Sequence, residues 1–175
     1  RDMVPPQDPS HTEQVSLLAQ QVVSALGGRT LVLTTTLRAL RSIGEHLKNA
    51  FQDNPQLEVL IQGEGSKREL MDRFRDESDE QTPVGRVLVA AASFWEGFDV
   101  PGQALQAVII DKLPFPPPND PMVQARSDDL KAQGRKPFTD YFIPEAAVAL
   151  RQGAGRLIRR ESDRGALIVC DSRLV

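Results

Sequence analysis

The chain has 175 residues, 40% of them hydrophobic and 26% charged, which suits one globular domain with a sizeable core. Its net charge of −3 does not indicate a dedicated nucleic-acid-binding module, which usually has a basic surface, but it leaves room for a local basic groove. Cys170 is the only cysteine, which excludes a disulfide framework, a zinc site and a complete iron–sulfur ligand set within this chain. No apolar run reaches about 18 residues, so the sequence predicts no membrane span.

The first third of the chain alternates predicted helices and strands. A proline-rich start, residues 4–9, precedes a helix that Ser10 or Thr12 can cap and that Gly27 and Gly28 end. The apolar stripe of this helix is predicted to be Val15, Leu18, Ala19, Val22 and Leu26. A strand over 30–34, a helix over about 36–51 and a strand over 57–62 follow. The apolar stripe of the second helix is predicted to be Leu37, Leu40, Gly44, Leu47 and Phe51.

The rest of the chain continues the same alternation. We expect a charged helix over about 66–77, a polar loop over 76–83, and strands over 85–92 and 105–111. The proline-rich segment 112–121 cannot form a strand interior. A helix over about 122–133, a loop, a helix from about Pro144 and a last strand over 165–171 complete the chain.

Strands that are nearly continuous apolar runs, alternating with amphipathic helices, indicate an α/β fold with a mainly parallel sheet covered by helices on both faces. Ligands of such sheets bind beyond the carboxyl ends of the strands. The polar side chains predicted to stand at those ends are Thr34, Thr35, Thr36, Gln62, the segment 93–99 and Asp111.

Residues 150–160 (LRQGAGRLIRR) carry the most informative pattern. On a helix, Gln152, Arg156, Arg159 and Arg160 would share one face, and the apolar side chains of the segment would share the opposite face. Arginine forks suit bidentate phosphate recognition. Gly153 and Gly155 would each cost such a helix up to about 1 kcal/mol relative to alanine, which makes sense where something must approach the backbone closely. A solvated basic face, with Arg160 as no more than a surface charge, is the simpler alternative.

A second pattern lies directly after a predicted buried strand. Glu96, Gly97 and Asp99 combine two carboxylates with a glycine. A carboxylate here can accept from a ribose hydroxyl or orient an arginine, and the glycine lets a backbone amide approach a phosphate. Loop capping is the alternative for the acids, and Trp95 either stacks on a base or fills the core.

Together these stretches resemble a known family. QGAGRLIRR resembles motif VI of superfamily 2 helicases, and SFWEGFD resembles motif V in the form found in the XPD/DinG branch. TLVLTTTLRAL resembles motif IV, LIQGEG resembles the short element after it, and IIDKLPFPPPNDP and GALIVCDSRL resemble the stretches after motifs V and VI. The resemblance runs from about Leu31 to the last residue and implies a RecA-like three-layer fold.

The resemblance also implies what lies outside this chain. No G-x-x-x-x-G-K-[ST] loop or Walker B pair is present, and the four cysteines of the branch's iron–sulfur cluster are absent. The whole of 1–175 is therefore expected to be one domain, the second (C-terminal) motor domain of a longer protein. The first motor domain, which shares ATP and Mg²⁺ with this one, and the 4Fe-4S domain would belong to the full-length protein.

The family roles can be assigned to residues of this sequence. The resemblance implies that Arg156 and Arg159 are arginine fingers, that Gln152 orients water or the γ-phosphate, and that ATP also contacts Glu96, Gly97, Asp99 and Gly155. It implies that Thr34, Thr35, Gln62 and Ser93 hold the backbone of single-stranded DNA, with no metal ligand in this chain. The expected function is 5′ to 3′ unwinding of forked duplex DNA in repair or replication, in the cytoplasm and with no membrane partner.

Two other classes of function remain open. The chain could supply arginines in trans to another ATPase as a partner domain. It could also be a catalytically silent module whose arginine face docks an acidic protein, although the presence of Glu96, Asp99, Gln152 and both predicted fingers argues against decay.

Overall fold

A computed structural model of the protein describes residues 3–75, 84–91, 94, 105–155, 157 and 164–174, with the side chains of 153 and 154 left out. The described strands are β1 (Thr30–Thr34), β2 (Leu57–Ile61), β3 (Gly85–Ala91), β4 (Ala107–Ile110) and β5 (Ala166–Val169). The described α-helices are α1 (His11–Leu26), α2 (Leu37–Phe51), α3 (Lys67–Arg75), α4 (Pro121–Ala132) and α5 (Ile143–Ala154). A π-helix spans Phe138–Phe142 and a short 3₁₀ turn spans Ser172–Leu174. The predicted loop 76–83 lies outside the described residues.

The described strands form one sheet in the order β2-β3-β1-β4-β5, and each neighbouring pair is parallel. Successive strand residues point to opposite faces, which produces two separate cores. In β1, Leu31 and Leu33 belong to the core that includes side chains of α3, whereas Val32 belongs to the core beneath α1 and α2. The predicted α/β architecture, with helices on both faces of a parallel sheet, is confirmed.

Two glycines set the entry into the first strand. Gly27 ends α1 in the left-handed region with φ of 59°, and Gly28 follows with φ of 92°. Gly28 also packs against the backbone of Gly85 and Arg86, so a side chain at this position has no room. Glycine is therefore required here both for its backbone angle and for the close approach of the start of β3.

The predicted apolar stripe of α2 is wrong at its first position. Leu37 is 62% exposed, while Ile43, which the prediction left out, has no exposed surface. Leu37 is the first residue of the helix, directly after the capping residue Thr36, and its side chain faces solvent there. Ile43 lies three residues after Leu40 and four before Leu47, so it shares their face.

The predicted helix over 150–160 is also wrong in extent. Helix α5 ends at Ala154, and Gly155 and Leu157 lie in a turn. The N–H of Gly155 donates the last helical bond to the carbonyl of Arg151. Glycine is a poor helix former, so two glycines near position 154 favour an early end. The apolar half of the prediction agrees with the structure where it is described, because Leu157 is buried and Leu150 packs against the same core.

The π-helix before α5 replaces part of a predicted loop. Pro144, the second residue of α5, has no N–H and cannot donate to the carbonyl of Asp140. The turn widens accordingly, and the N–H of Ile143 donates to the carbonyl of Phe138 five residues earlier. The sequence signal was the proline itself, which marks the beginning of α5 but not the type of turn before it.

Candidate functional site

A groove of about 670 Å³ lies at the carboxyl ends of β1 and β4, which are neighbours in the sheet. The connection after β1 enters α2 on one face, whereas α5 packs by Leu150 on the opposite face. Parallel sheets commonly bind ligands where connections diverge in this way. The lining includes Thr35 and Thr36 after β1, residues 112–118 after β4, and Arg173 after β5.

One face of α5 completes the lining of the groove. Glu145, Ala149 and Gln152 follow the i, i+4, i+7 spacing, and all three line the groove. Gln152 is exposed, so its amide is available to a ligand. The structure thus brings a predicted nucleotide-contacting residue, Gln152, to the same groove as a predicted DNA-contacting residue, Thr35.

Asp111 directly follows β4 and holds the turn after β1. It is 3% exposed, and its Oδ1 accepts from the N–H of Thr35 at 3.0 Å and from the N–H of Lys112 at 2.8 Å. The Thr35 hydroxyl donates to Oδ2 at 3.3 Å. Burial raises the pKa of Asp111, against the opposing effects of the Lys112 charge and the Thr35 hydrogen bonds. The carboxylate therefore ties the β1 turn to the start of the proline-rich segment.

Asp171, two residues after β5, makes the corresponding connection with a charged partner. Its oxygens accept from Nε of Arg173 at 2.9 Å and from Nη2 of Arg173 at 2.7 Å, a bidentate ion pair. The backbone N–H of Leu113 donates to Oδ2 at 2.9 Å. Burial opposes ionisation of Asp171, but the hydrogen bonds from Arg173 and Leu113 outweigh it and lower the pKa to about 2.

Arg173 also contacts an aromatic ring of the groove. Its guanidinium carbon lies 5.2 Å from the ring centroid of Phe115, within the range of a cation–π contact. The ring of Phe138, in the π-helix, also contacts the Phe115 ring in a tilted arrangement, with 5.7 Å between the two ring centroids. Arg173, which is ion-paired with Asp171, and Phe138 therefore both support the Phe115 ring, which forms an aromatic part of the groove wall.

The predicted DNA-contacting threonines occupy different environments. Thr34 has no exposed surface, and its hydroxyl lies 3.2 Å from the carbonyl oxygen of Thr36 and 3.4 Å from that of Ala90. In this conformation Thr34 supports the turn from inside. Thr35 lines the groove, but both its N–H and its hydroxyl are already donated to Asp111. Thr36 is exposed, and its hydroxyl oxygen caps α2 by accepting from the N–H of Ala39.

Gln62 lies at a different part of the same edge. Its backbone N–H donates to the carbonyl of Val89, and its side-chain Oε1 accepts from the N–H of Ala91 at 2.7 Å. These bonds extend the pairing of β2 and β3 beyond the last residue of β2. Gln62 is half-buried and does not line the groove.

Gly155 lies just after the end of α5 and is exposed. A Cβ placed there would lie 3.2 Å from the carbonyl oxygen of Arg151, closer than an ordinary van der Waals contact, and 3.7 Å from that of Gln152. Glycine suits this position because a side chain would crowd the end of the helix. The other predicted ATP- and DNA-contacting residues lie outside the described residues: Arg156, Arg159, Glu96, Gly97, Asp99 and Ser93.

The sequence-based site predictions missed the residues that organise the groove. In the sequence, Asp111 is predicted only as a strand-end carboxylate, and Asp171 and Arg173 lie in the stretch that resembles the one after motif VI. A polar residue directly after an apolar strand was the available signal for the two aspartates. No sequence signal indicated that Phe115 would meet Arg173, because the two residues are 58 positions apart.

The part of the chain that the structure describes has no group of side chains suited to binding a metal ion or an iron–sulfur cluster. No group of three or more His, Cys, Asp or Glu side chains there could hold a metal ion. Burial and the nearby Asp111 charge raise the pKa of the Cys170 thiol to about 12, so it is a poor thiolate ligand. A single buried cysteine does not fit a 4Fe-4S cluster, which is held by four thiolates. Among the described helices, none is both long and apolar enough to cross a membrane.

Comparisons with known proteins agree with this architecture. Residues 19–175 match the family model described as helicase C-terminal domain. The chain is 47% identical over 154 residues to the ATP-dependent DNA helicase YoaA of Haemophilus influenzae, covering 88% of this chain and 22% of that protein. It is 40% identical over 162 residues to the ATP-dependent helicase DinG of Mycobacterium tuberculosis, covering 93% of this chain and 23% of that protein.

The fold is also similar to a solved helicase. The XPD helicase superposes with a TM-score of 0.65 at 16% identity, over 93% of this chain and 28% of the other. The chain spans less than a quarter of the length of the two curated relatives above. It belongs to the helicase C-terminal domain family.

Proposed function

We propose that this chain is the second motor domain of an ATP-dependent DNA helicase, which closes over ATP held mainly by a first motor domain and holds single-stranded DNA. The observation that carries the proposal is the family match over residues 19–175. The placement of Gln152 and Thr35 on one groove supports it, because a motor domain must connect its nucleotide side to its DNA side.

On the nucleotide side, hydrolysis of bound ATP would supply the free energy that drives the motor. Arg156 and Arg159 would stabilise the charge that develops on the transferring phosphate, a contribution of roughly 10³ to 10⁵ in rate where arginine fingers are used. Gln152, exposed at the end of α5, would orient the attacking water or the γ-phosphate. Gly155, exposed after the end of α5, would lie beside a phosphate. Glu96, Gly97 and Asp99 would hold the ribose or an arginine.

Magnesium and the cluster belong to other parts of the proposed enzyme. The described residues offer no cluster of three metal ligands, so the first motor domain would hold Mg²⁺. The 4Fe-4S cluster would likewise lie in another domain of the full-length protein, because this chain has one cysteine.

On the DNA side, we propose hydrogen-bond donors to the strand that differ in part from those that the sequence predicted. Thr34 is buried and Thr35 donates inward to Asp111, so we assign both to positioning of the turn. In the first turn of α2, the N–H of Ala39 already donates to the Thr36 hydroxyl. The N–H groups of Leu37 and Arg38 have no acceptor within the helix and can donate to a phosphate. Lys112 lines the groove beside them. The amide nitrogen of Gln62 would contact the strand further along the edge of the sheet, and we assign the Ser93 hydroxyl to the same strand from the sequence resemblance alone.

The deciding experiment replaces the two predicted fingers in the full-length protein. Arg156→Ala or Arg159→Ala should lower DNA-stimulated ATP turnover by at least about a hundredfold, because their charge acts mainly in the transition state. Arg159→Lys should rescue poorly, since a point ammonium cannot reproduce the planar fork. Single-strand affinity and the free energy of unfolding should stay close to wild type, within about 0.5 kcal/mol for the latter.

Leu157→Ala is the matched control from the same segment. Leu157 is buried in the core against which Leu150 also packs, so its truncation should cost roughly 2–5 kcal/mol in the free energy of unfolding. Normal ATP turnover by either arginine variant, or unfolding of both, would remove the assignment of these arginines as fingers.

The isolated 175-residue chain should show neither ATP turnover nor strong binding of single-stranded DNA. It contains no phosphate-cradling loop, so we expect no ATP turnover above background. Its net charge of −3 leads us to expect weak single-strand binding with a shallow salt dependence and no base preference. ATP turnover by the purified chain, or nanomolar binding of one sequence, would contradict these expectations.

A further inference from the structure

We propose that the groove takes one unpaired nucleotide of single-stranded DNA, with the base against Phe115 and the proline-rich segment and the phosphate beside Lys112. This inference rests on the proposed function and goes further, because it assigns a base-contacting wall to residues that no helicase motif in this sequence contains.

The first argument is the composition of the groove. Its volume of about 670 Å³ is within the range of small-molecule sites, and residues 113–118 give it an apolar wall of leucine, phenylalanine and prolines. Phosphates do not favour such a wall, but the face or edge of a base does. Phe115 is held in place by Arg173 and Phe138, so little conformational entropy would be lost when a base packs there.

The second argument is which charged side chains face the groove and which are buried beneath it. Asp111 and Asp171 are buried, and their oxygens accept from donors within the domain. Among the described lining residues, Glu145 is the one acid, against Lys112 and Arg173. Lys112 has no carboxylate within 4 Å in the described part of the chain, so its ammonium is available to a phosphate.

The third argument favours a strand over a free nucleotide. Arg38 and Arg41 are exposed on the first turns of α2, just beyond Thr36 of the groove, and neither makes an ion pair with a described residue. They extend the positive surface outward from the groove, where the next phosphates of a polymer would lie. Among the described lining residues, free ATP would find one lysine without an ion pair for its whole triphosphate.

The experiment compares two oligonucleotides in the full-length protein. Binding of a short oligothymidylate and of the same oligonucleotide with abasic central positions is measured by fluorescence anisotropy. Phe115→Ala should weaken oligothymidylate binding roughly five- to a hundredfold, the range for loss of one base–aromatic contact. The same variant should leave binding of the abasic oligonucleotide nearly unchanged, because the lost contact is to a base.

Charge and shape are tested by paired variants. Lys112→Glu should weaken binding of both oligonucleotides and make the affinity less salt-dependent, whereas Lys131→Glu, an equal change of charge on α4 outside the groove, should have a much smaller effect. Met122→Ala removes an exposed apolar side chain that does not line the groove and should not change the affinity. Phe115→Leu keeps the apolar volume, and it carries the test if the alanine variant fails to fold.

The outcomes separate this inference from the proposed function. Suppose that the wild-type protein binds single strands and that Phe115→Ala weakens the binding of both oligonucleotides equally, or of neither. That result would leave the helicase proposal intact and overturn the base contact. An increased KM for ATP with unchanged DNA affinity in Phe115→Ala would assign the groove to ATP and also overturn it. Wild-type protein with no single-strand binding would fail the proposed function itself.

Discussion

Asp111 and Asp171 occupy equivalent places in the fold but different electrostatic environments. Each follows a strand, β4 or β5, and these strands are neighbours. Each is buried, with 3% and 5% of its surface exposed, and each accepts a backbone N–H from the segment that follows β4. The pKa of Asp111 is nevertheless raised, while that of Asp171 is lowered to about 2.

The partners explain the difference between the two carboxyls. Asp171 has a bidentate guanidinium, whereas Asp111 has a hydroxyl, two N–H groups and only the more distant charge of Lys112. Burial disfavours the charged form of both groups, and neutral hydrogen bonds do not fully compensate for it. Two buried carboxyls at the ends of neighbouring strands therefore differ in whether the chain around them requires a negative charge.

The largest expected effect comes from removing that charge at Asp171. Asp171→Asn leaves the Arg173 fork without its carboxylate and should lower the free energy of unfolding by about 2–3 kcal/mol. Urea unfolding at neutral pH measures the change. Asp53→Asn, an exposed aspartate on the loop after α2, is the matched control and should stay within about 0.5 kcal/mol of wild type. Equal effects of the two substitutions would show that the Asp171–Arg173 pair does not stabilise the domain.

A pH series should show the same contribution disappear. The pKa of Asp171 lies below its ordinary value of 3.8, so the folded protein binds this proton less tightly than the unfolded chain. The stabilisation is therefore fully present above about pH 4 and is lost as the pH falls towards about 2, a total of about 2 kcal/mol. The difference between wild type and Asp171→Asn should shrink over that range in urea or thermal unfolding. A difference independent of pH would contradict the ion pair as its source.

The smallest expected effect is at Asp111. An asparagine oxygen can accept the same two N–H groups, and the substitution removes the cost of a buried charge that has no guanidinium partner. Asp111→Asn should therefore change the free energy of unfolding by less than about 1 kcal/mol, in the stabilising direction at neutral pH. Because the pKa of Asp111 is raised, the wild type loses stability as the pH rises through the ordinary aspartate range towards that raised value.

The variant's relative stability should accordingly grow with pH over the same interval. Destabilisation comparable to that of Asp171→Asn would mean that the turn at Asp111 requires a full negative charge, and the contrast between the two turns would then be lost.

Much of the architecture follows from local patterns in the sequence. The apolar run at 30–34 predicted β1 with the same bounds as the structure, and the prolines at 116–118 excluded a strand there. The motif-like stretches around Gln62 and Gln152 predicted the family, and the comparisons confirm it. These predictions succeed because strand periodicity, glycine turns and proline exclusion depend on neighbours within a few residues.

The groove could not be read from the sequence in the same way. That Thr34 faces inward and Thr35 is held by Asp111 depends on how β1 pairs with β4, a contact between residues 76 or more positions apart. The end of α5 at Ala154 depended on which of two glycines would stop the helix.

By itself, the sequence determined the order of helices and strands, the parallel sheet and the family, because each is written in the periodicity or in contiguous motifs. Only the tertiary structure decided that the pKa values of the aspartates after β4 and β5 would shift in opposite directions and that Phe115 would contact both Arg173 and Phe138. Burial and partner identity are properties of the folded chain, and a carboxyl group's charge state depends on both.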